Sequence, residues 1–410
     1  MNISIFGLGY VGCVSLGCLA QNGHQVIGVD VVEDKVALIN AGKPTIIETD
    51  IDRIIAEQRA AGRISATTNF REAVLATEVS IICVGTPSTA QGHLNLDYIF
   101  DTARQIGEAI REKDAFHVVV IRSTVMPGTN ERVGNVIAEV SGKARNEGFS
   151  VVSNPEFLRE GTAVADYYNP AVTVLGTDNE QAAAIVRAIY EELPAPIEQV
   201  EVKVAEIIKY VNNSWHALKI TFANEVGNIC KRIGVDSHPV MELFCKDDRL
   251  NISKAYMKPG FAYGGSCLPK DLKGLSTLAH DLYIKTPVLD SIHESNEQQK
   301  RLAFEMIARR GQRKVAILGL SFKKGTDDLR YSPMVDLAES LIGKGYQLRI
   351  FDRNVKLSHI TGTNKAYIDY HIPHLSRLMG EDIDQVVSEA DIVVIGHNEK
   401  DFLEVIERHP

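Results

Sequence analysis

The first 30 residues narrow the fold of this chain more than any other stretch. An apolar strand pattern, "ISIF", runs into the turn Gly7-Leu8-Gly9-Tyr10-Val11-Gly12, then into a helix pattern closing near Asn22-Gly23, then into a second strand pattern, "HQVIGVD", ending on Asp30. Strand, tight turn, helix and strand in so short a span predict a βαβ unit, which commits the chain to a parallel sheet covered by helices. β-branched runs at 79–87, 117–125 and 149–157, each ending in polar or turn residues, extend that sheet.

The turn also predicts a ligand. Gly7, Gly9 and Gly12 stand between strand and helix, with an acid 18 residues after Gly12, the arrangement of a dinucleotide site. Glycines let the backbone approach a pyrophosphate at the start of the helix, where unpaired N–H groups favour an anion. Asp30 would accept hydrogen bonds from the adenosine ribose diol and repel a 2'-phosphate, and Val31-Val32-Glu33 supplies no cation to offset that repulsion. NAD is therefore expected over NADP. Ligands of parallel sheets gather at the carboxyl ends of strands, which directs Thr86, Thr124 and Glu156 toward the site. As single residues, each could equally be a turn former or a cap.

The plan repeats from residue 313: "RKVAILGLSFKKG", then "YQLRIFD" at 346–352, then "DIVVIGHN" at 391–398. The second copy lacks the third glycine spacing. It is expected to hold a different nucleotide through Lys323, Lys324 and Arg330; a purely structural half with a solvated basic loop is the alternative. The chain closes at "IERHP" soon after its last strand pattern, so a terminal strand of this half is expected to be missing.

Between the halves, residues 200–234 have helical periodicity and no proline. At about 100° per residue, Lys209, Asn213, His216 and Asn224 fall within an arc of about 80°, with Lys219 about 60° further round. The stripe either faces solvent or lines a polar cleft. Ile207, Ile208, Val211, Trp215, Leu218 and Phe222 occupy much of the remaining circumference, which favours the cleft and a helix buried nearly all round. The expected class is α/β, with two Rossmann-like parallel-sheet domains at 1–200 and 301–410. They are joined by this long central helix and a small helical domain at 201–300.

The chain has 410 residues, 45% hydrophobic and 24% charged, with a net charge of -9. That size predicts more than one domain. The charge argues against a nucleic-acid binder, and no apolar run approaches a membrane span. "MNISIF" carries no basic, signal-like region, so the cytoplasm is the default. Six cysteines are too scattered for a disulfide framework or a zinc site, and no metal is expected. Cys13, Cys18, Cys83, Cys230 and Cys245 lie in apolar or helical patterns and read as buried thiols. Cys267 stands apart, in "GGSCLPKD". A half-exposed thiol beside Lys270, at a helix start marked by Pro269, has the setting of a nucleophile. With an NAD site in the same chain, that thiol has a use: an aldehyde gives up a hydride only after something adds to its carbonyl.

These residues resemble the nucleotide-sugar 6-dehydrogenases, which oxidise a C6 alcohol to a carboxylate in four electrons. The resemblance covers essentially the whole chain, through "GLGYVG", "CVGTP", "STVMPGT", "NPEFLREG", "NNSWHALKITFANE", "GGSCLPKD" and "GLSFKKGTDDLRYSP". Within that family, "LNISKAYMKPGFAYGGSCLPKD" is similar to the members acting on GDP-mannose, which feed alginate-type exopolysaccharide. UDP-glucose-oxidising members usually carry an arginine 16 residues before the cysteine, where this chain has Asn251.

The resemblance implies that Cys267 is the nucleophile and that Lys219 and Asn224 hold the C6 oxygen. Asp271 and a water near Thr124 would manage protons, and Glu156 would assist thioester hydrolysis. Glu160, Lys209, Asn213, His216, Asn224, Tyr256, Met257, Lys258, Phe261 and Lys323 would line the sugar-nucleotide pocket. Tyr10, Val11, Asp30, Lys35, Thr86, Thr124, Lys270 and Arg330 would contact NAD. It also implies a homodimer with sites completed across subunits. Competing expectations are the same chemistry on UDP-glucose or UDP-N-acetylmannosamine, an ordinary two-electron dehydrogenase, and a non-catalytic NAD-binding redox sensor.

Overall fold

The computed structural model describes residues 1–232, 234–248, 256, 259–281, 283, 287–355, 362–371, 373 and 375–409. It divides into two compact units, Met1–Lys209 and Tyr210–Pro410. The first is built on strands β1 (Asn2–Phe6), β2 (Gln25–Val29), β3 (Ile64–Thr67), β4 (Val79–Ile82), β5 (His117–Ile121), β6 (Phe149–Ser153), β7 (Thr173–Gly176) and β8 (Ile197–Val200). They form one sheet in the order β3-β2-β1-β4-β5-β6-β7-β8. All neighbours are parallel except β6 and β7, where Ser153 pairs antiparallel with Gly176. The sheet is thus parallel-dominated rather than wholly parallel.

Both faces are covered. Ile3, Ile5, Val79, Ile81, Val118, Val120 and Val152 pack into one core, and Phe6, Ile82, Val119, Ile121, Phe149 and Val151 into another. Alternate residues of a single strand thus serve opposite cores, which is why these strands read as unbroken apolar runs. Strand order reverses between β1 and β4, the crevice where such sheets bind ligands.

The second unit contains β9 (Lys314–Leu318), β10 (Gln347–Phe351) and β11 (Ile392–Ile395), all parallel, in the order β10-β9-β11. The sequence repeat is a structural one. Gly7 donates to the Val29 carbonyl at 2.8 Å, and Gly319 donates to Phe351 at 2.8 Å. Leu8 N–H reaches Asp30 at 2.7 Å, and Leu320 N–H reaches Asp352 at 2.7 Å.

The helices that position functional groups are α1 (Tyr10–Gln21), α2 (Val202–Arg232), α3 (Leu268–Asp281) and α4 (Pro287–Ala308). Helix α2 departs from the expected all-round burial. Its polar stripe is inside: Lys209 is 4% exposed, Asn213 6%, Lys219 5% and Asn224 4%. On the opposite side Val211, Trp215 and Phe222 remain 48%, 40% and 42% exposed. Of the apolar residues expected to be buried, Ile207, Ile208 and Leu218 are half-buried, whereas Val211, Trp215 and Phe222 are incompletely covered among the described residues, Phe222 even with Phe244 beside it at 5.8 Å. No helix among the described residues is long and apolar enough to cross a membrane.

Candidate functional site

The first unit presents the glycine turn. Gly7 has φ +91°, and a Cβ there would stand 2.9 Å from the Cys83 carbonyl oxygen. A Cβ on Gly12 would lie 1.8 Å from the Gly7 oxygen, so α1 packs against the turn only because residue 12 has no side chain. Gly9 meets nothing within 4 Å and leaves the approach to the helix start open. These are the three jobs that the glycines of a dinucleotide turn perform. Gly9 makes no side-chain cap at the start of α1, whose first residues are Tyr10 and Val11. The Tyr10 hydroxyl also accepts from Gly161 N at 2.8 Å.

Asp30 accepts from Leu8 N at 2.7 Å, Val32 N at 3.0 Å and Lys35 Nζ at 3.1 Å. Val31-Val32-Glu33 supplies no cation, as expected, but Lys35, five residues on and itself expected at the cofactor, folds back onto Asp30. Two carboxylate oxygens offer about four acceptor positions, so a ribose diol can still be accommodated and the residues fit NAD. The same geometry predicts how the preference can be broken. In an Asp30→Ser variant, Leu8 N–H, Val32 N–H and Lys35 would surround a vacated anion site, and kcat/KM with NADP is expected to rise by at least about tenfold while that with NAD falls. Steady-state kinetics with both cofactors checks it; an unchanged NADP rate would show that Lys35 cannot serve a phosphate.

Along the carboxyl ends of the strands, the Thr86 hydroxyl donates to the Thr124 carbonyl at 3.0 Å. Glu156 Oε1 lies 2.9 Å from Lys209 Nζ, with the two side chains 7% and 5% exposed. Its other oxygen accepts from Leu158 N at 2.5 Å. Glu160 is half-buried on the same loop.

The second unit holds the cysteine loop. Cys267 immediately precedes α3, and its carbonyl accepts from Asp271 N at 2.9 Å. The half-buried thiol therefore sits at a helix N-terminus, where the helix dipole favours negative charge. The two glycines before it are dictated by crowding. A Cβ on Gly264 would be 2.3 Å from the Tyr331 oxygen, and Gly265, at φ +85°, would meet the Phe322 ring at 2.7 Å. Asp271 is fully buried, accepts from the Asn213 amide, and lies 3.5 Å from Lys270 Nζ.

The two asparagines of the polar stripe on α2 have different partners. Asn224 accepts from Gly260 N at 2.7 Å and donates to the Phe261 carbonyl at 3.2 Å, so its amide is committed to the loop backbone. The asparagine that reaches Asp271 is Asn213. Lys219 lies 5.6 Å from the centre of the Tyr256 ring, and His216 is 5.1 Å from the same ring. Burial pushes the Lys219 ammonium below its ordinary pKa. Met257, Lys258 and Asn251 lie outside the described residues. Phe261 packs against the core of the second sheet.

Lys323 is half-buried in the second turn, its carbonyl accepting from the Ser321 hydroxyl at 3.1 Å. Arg330, expected at the cofactor, is held by Asp328 in the same unit, Nε at 2.9 and 3.1 Å and a terminal nitrogen at 2.6 Å. Asp352 receives Leu320 N, Ser321 N, the Ser321 hydroxyl, Asn354 N and Val355 N, and is saturated by its own loop. No cluster able to hold a metal ion occurs among the described residues.

Three domain models of the UDP-glucose/GDP-mannose dehydrogenase family match the chain: the NAD binding domain at residues 1–194, the central domain at 203–298 and the UDP binding domain at 316–409. GDP-mannose 6-dehydrogenase of Pseudomonas aeruginosa is 52% identical over 411 residues, covering 100% of this chain and 94% of that protein. Among solved structures, a UDP-glucose dehydrogenase of the hyperthermophilic archaeon Pyrobaculum islandicum superposes with a TM-score of 0.90 at 35% identity, over 98% of this chain and 90% of its own. A ternary complex of the Pseudomonas aeruginosa GDP-mannose dehydrogenase gives a TM-score of 0.61 at 52% identity, over 100% and 94%.

Proposed function

The chain belongs to the UDP-glucose/GDP-mannose dehydrogenase family, and from that membership we infer that it oxidises the C6 alcohol of GDP-mannose to GDP-mannuronate with NAD. The observation that carries the reading is the full-length identity of 52% to a GDP-mannose 6-dehydrogenase, against 35% to the UDP-glucose dehydrogenase of nearly equal coverage. A two-electron dehydrogenase has no use for a thiol at the start of α3, and a redox sensor has no use for the buried Asp271 on the same helix, paired with Asn213. The test is a panel of nucleotide sugars followed by NADH formation. GDP-mannose is expected to exceed UDP-glucose in kcat/KM by about 10³-fold or more, the scale of discrimination a site reaches when its buried polar groups must be matched. A higher value for UDP-glucose would overturn the choice of substrate and leave the chemistry standing.

The turn of Gly7, Gly9, Gly12 and the start of α1 would bind the cofactor pyrophosphate, and Asp30 the adenosine ribose. NAD, when bound, accepts a hydride from C6 in each of the two oxidations. The protein supplies the rest. The first oxidation removes a hydride and the hydroxyl proton, leaving an aldehyde. The Cys267 thiolate then adds to that carbon: a C–S bond forms, the carbonyl π bond breaks, and the oxygen takes a proton, giving a thiohemiacetal. Loss of a second hydride and of the hydroxyl proton leaves a thioester. Water adds to it, the C–S bond breaks, and carboxylate and thiolate separate.

Asn213 and Asp271 form a buried hydrogen-bonded pair one helical turn from the thiol, suited to hold the C6 oxygen and carry its proton. This replaces the role expected of Asn224. Lys209 and Glu156, paired within the first unit, are assigned to charge stabilisation and to thioester hydrolysis, with Thr124 holding the water. Lys219, His216, Tyr256 and Lys323 are assigned to the sugar nucleotide. The three domains expected from the sequence, a cytoplasmic location and supply of an alginate-type exopolysaccharide belong to the same proposal.

The exposed stripe of Val211, Trp215 and Phe222 supports a homodimer, since apolar side chains aligned on one helix face are a surface to be covered. A Trp215→Glu, Phe222→Glu double variant is expected to sediment as a monomer where the wild type sediments as a dimer. Equal sedimentation of the two proteins would remove the stripe from the interface.

A further inference from the structure

The backbone of residues 259–266, leading to the nucleophile, belongs to no strand or helix, and carboxamides from two helices hydrogen-bond it at Gly260, Phe261 and Tyr263. Gly260 N–H donates to Asn224 Oδ1 at 2.7 Å, and the Asn224 amide donates to the Phe261 carbonyl at 3.2 Å. The Gln299 amide donates to the Gly260 carbonyl. Asn296, on α4, closes a two-way pair on one residue: Tyr263 N–H donates to its Oδ1 at 2.9 Å, and its amide donates to the Tyr263 carbonyl at 3.0 Å. A carboxamide has the donor and acceptor of a peptide unit, so Asn296 does for Tyr263 what a neighbouring strand would do. Asn296 is 5% exposed, so bulk water has little access to either bond.

We propose that Asn296 is a positioning residue for Cys267. The claim rests on the reading of Cys267 as the nucleophile. Three residues separate Tyr263 from Cys267, and two of them, Gly264 and Gly265, have no side chain with which to anchor themselves. Beyond the thiol, the chain is fixed again by the Asp271 N–H bond to the Cys267 carbonyl. The clasp on Tyr263 is therefore the side-chain hydrogen bond that fixes the backbone entering the two glycines, which are otherwise held only by packing against Tyr331 and Phe322. Addition of sulfur to an aldehyde needs near-contact alignment, and an error of about 1 Å costs on the order of 10²-fold. The first oxidation does not involve the thiol and does not depend on this restraint.

Asn296→Ala is expected to lower the rate of carboxylate formation about 10- to 100-fold. The KM values for NAD and GDP-mannose should stay within about twofold, because neither binding turn contains Tyr263. Aldehyde should escape and be trapped by hydroxylamine as an oxime, and alkylation of Cys267 by iodoacetamide should change in rate. Asn296→Asp supplies the check that does not depend on tolerance of a truncation. Its carboxyl, when protonated, regains a donor and an acceptor, and burial favours that form. Carboxylate formation by this variant should therefore rise from about pH 8 to about pH 6 relative to the wild type.

Unchanged alkylation together with a normal rate in both variants would overturn the proposal, as would a parallel loss of both oxidations with no recovery of Asn296→Asp on acidification. The alkylation rate reads the loop even without turnover. If the wild type oxidised no GDP-mannose, the functional reading would fail while the positioning of the thiol was still being measured.

Discussion

A Cys267→Ala enzyme is expected to bind GDP-mannose and NAD nearly as the wild type does and to form no carboxylate, a loss of roughly four orders of magnitude or more, as when other covalent nucleophiles are removed. The expectation follows from the bonding at C6. Removal of the first hydride leaves a trigonal carbonyl carbon, and a second hydride can leave only after a nucleophile has made that carbon tetrahedral again. The groups proposed to hold the C6 oxygen remain in the variant, so the first oxidation should continue slowly and release aldehyde. In the wild type the thiohemiacetal retains the sugar, and two NADH should appear for each uronate with no free aldehyde. Chromatography of the sugar nucleotides alongside NADH absorbance measures both quantities. A ratio of one, or a Cys267→Ala enzyme that forms acid at a normal rate, would reduce the cysteine to a small residue in a crowded loop.

Lys209→Met is expected to cost stability and activity together, and a second substitution should separate them. Lys209 and Glu156 pair at 2.9 Å almost out of water. Removing one partner leaves a buried charge, at a cost of about 3–5 kcal/mol, which in a unit of this size lowers Tm by roughly 10 °C. In the Glu156→Gln, Lys209→Met double variant, no uncompensated charge remains and most of the lost Tm should return. Carboxylate formation should stay at least about 10²-fold down, because the pair is proposed to serve charge stabilisation and thioester hydrolysis. Thermal unfolding and kcat are measured on all three variants. Recovery of activity along with stability would make the pair a structural bridge.

The sequence announced the parts of the site that are local. The turn from Gly7 to Gly12, the acid at Asp30, the repeat at Gly319 and the thiol at Cys267 are each legible within a few residues, because their physics is that of one turn or one helix start. What it left open depends on tertiary contacts. Asn213 and Asn224 lie about 20° apart in projection and three turns apart in height, so periodicity cannot say which meets Asp271 and which props Gly260. Composition shows that Val211, Trp215 and Phe222 are apolar, not whether the surface that covers them belongs to the same chain. Asn296 sits in "ESNEQQKR", a run that reads as a solvated helix face. The antiparallel β7 escaped because alternation along a strand carries no direction.

The two turns that share their hydrogen bonds differ at one position that decides how the backbone beside it is used. Strand, glycine with positive φ, leucine and distant aspartate recur in both halves, down to the 2.7 Å bond from leucine to acid. The next residue is Gly9 in the first copy, facing open space, and Ser321 in the second, whose hydroxyl and N–H both turn inward onto Asp352. One position therefore separates a turn whose helix start is left open from one whose third residue is tied to its own acid. The same strand-and-turn plan can thus leave its backbone open to a ligand or tie it to its own side chains, by the difference between a hydrogen and a hydroxymethyl group.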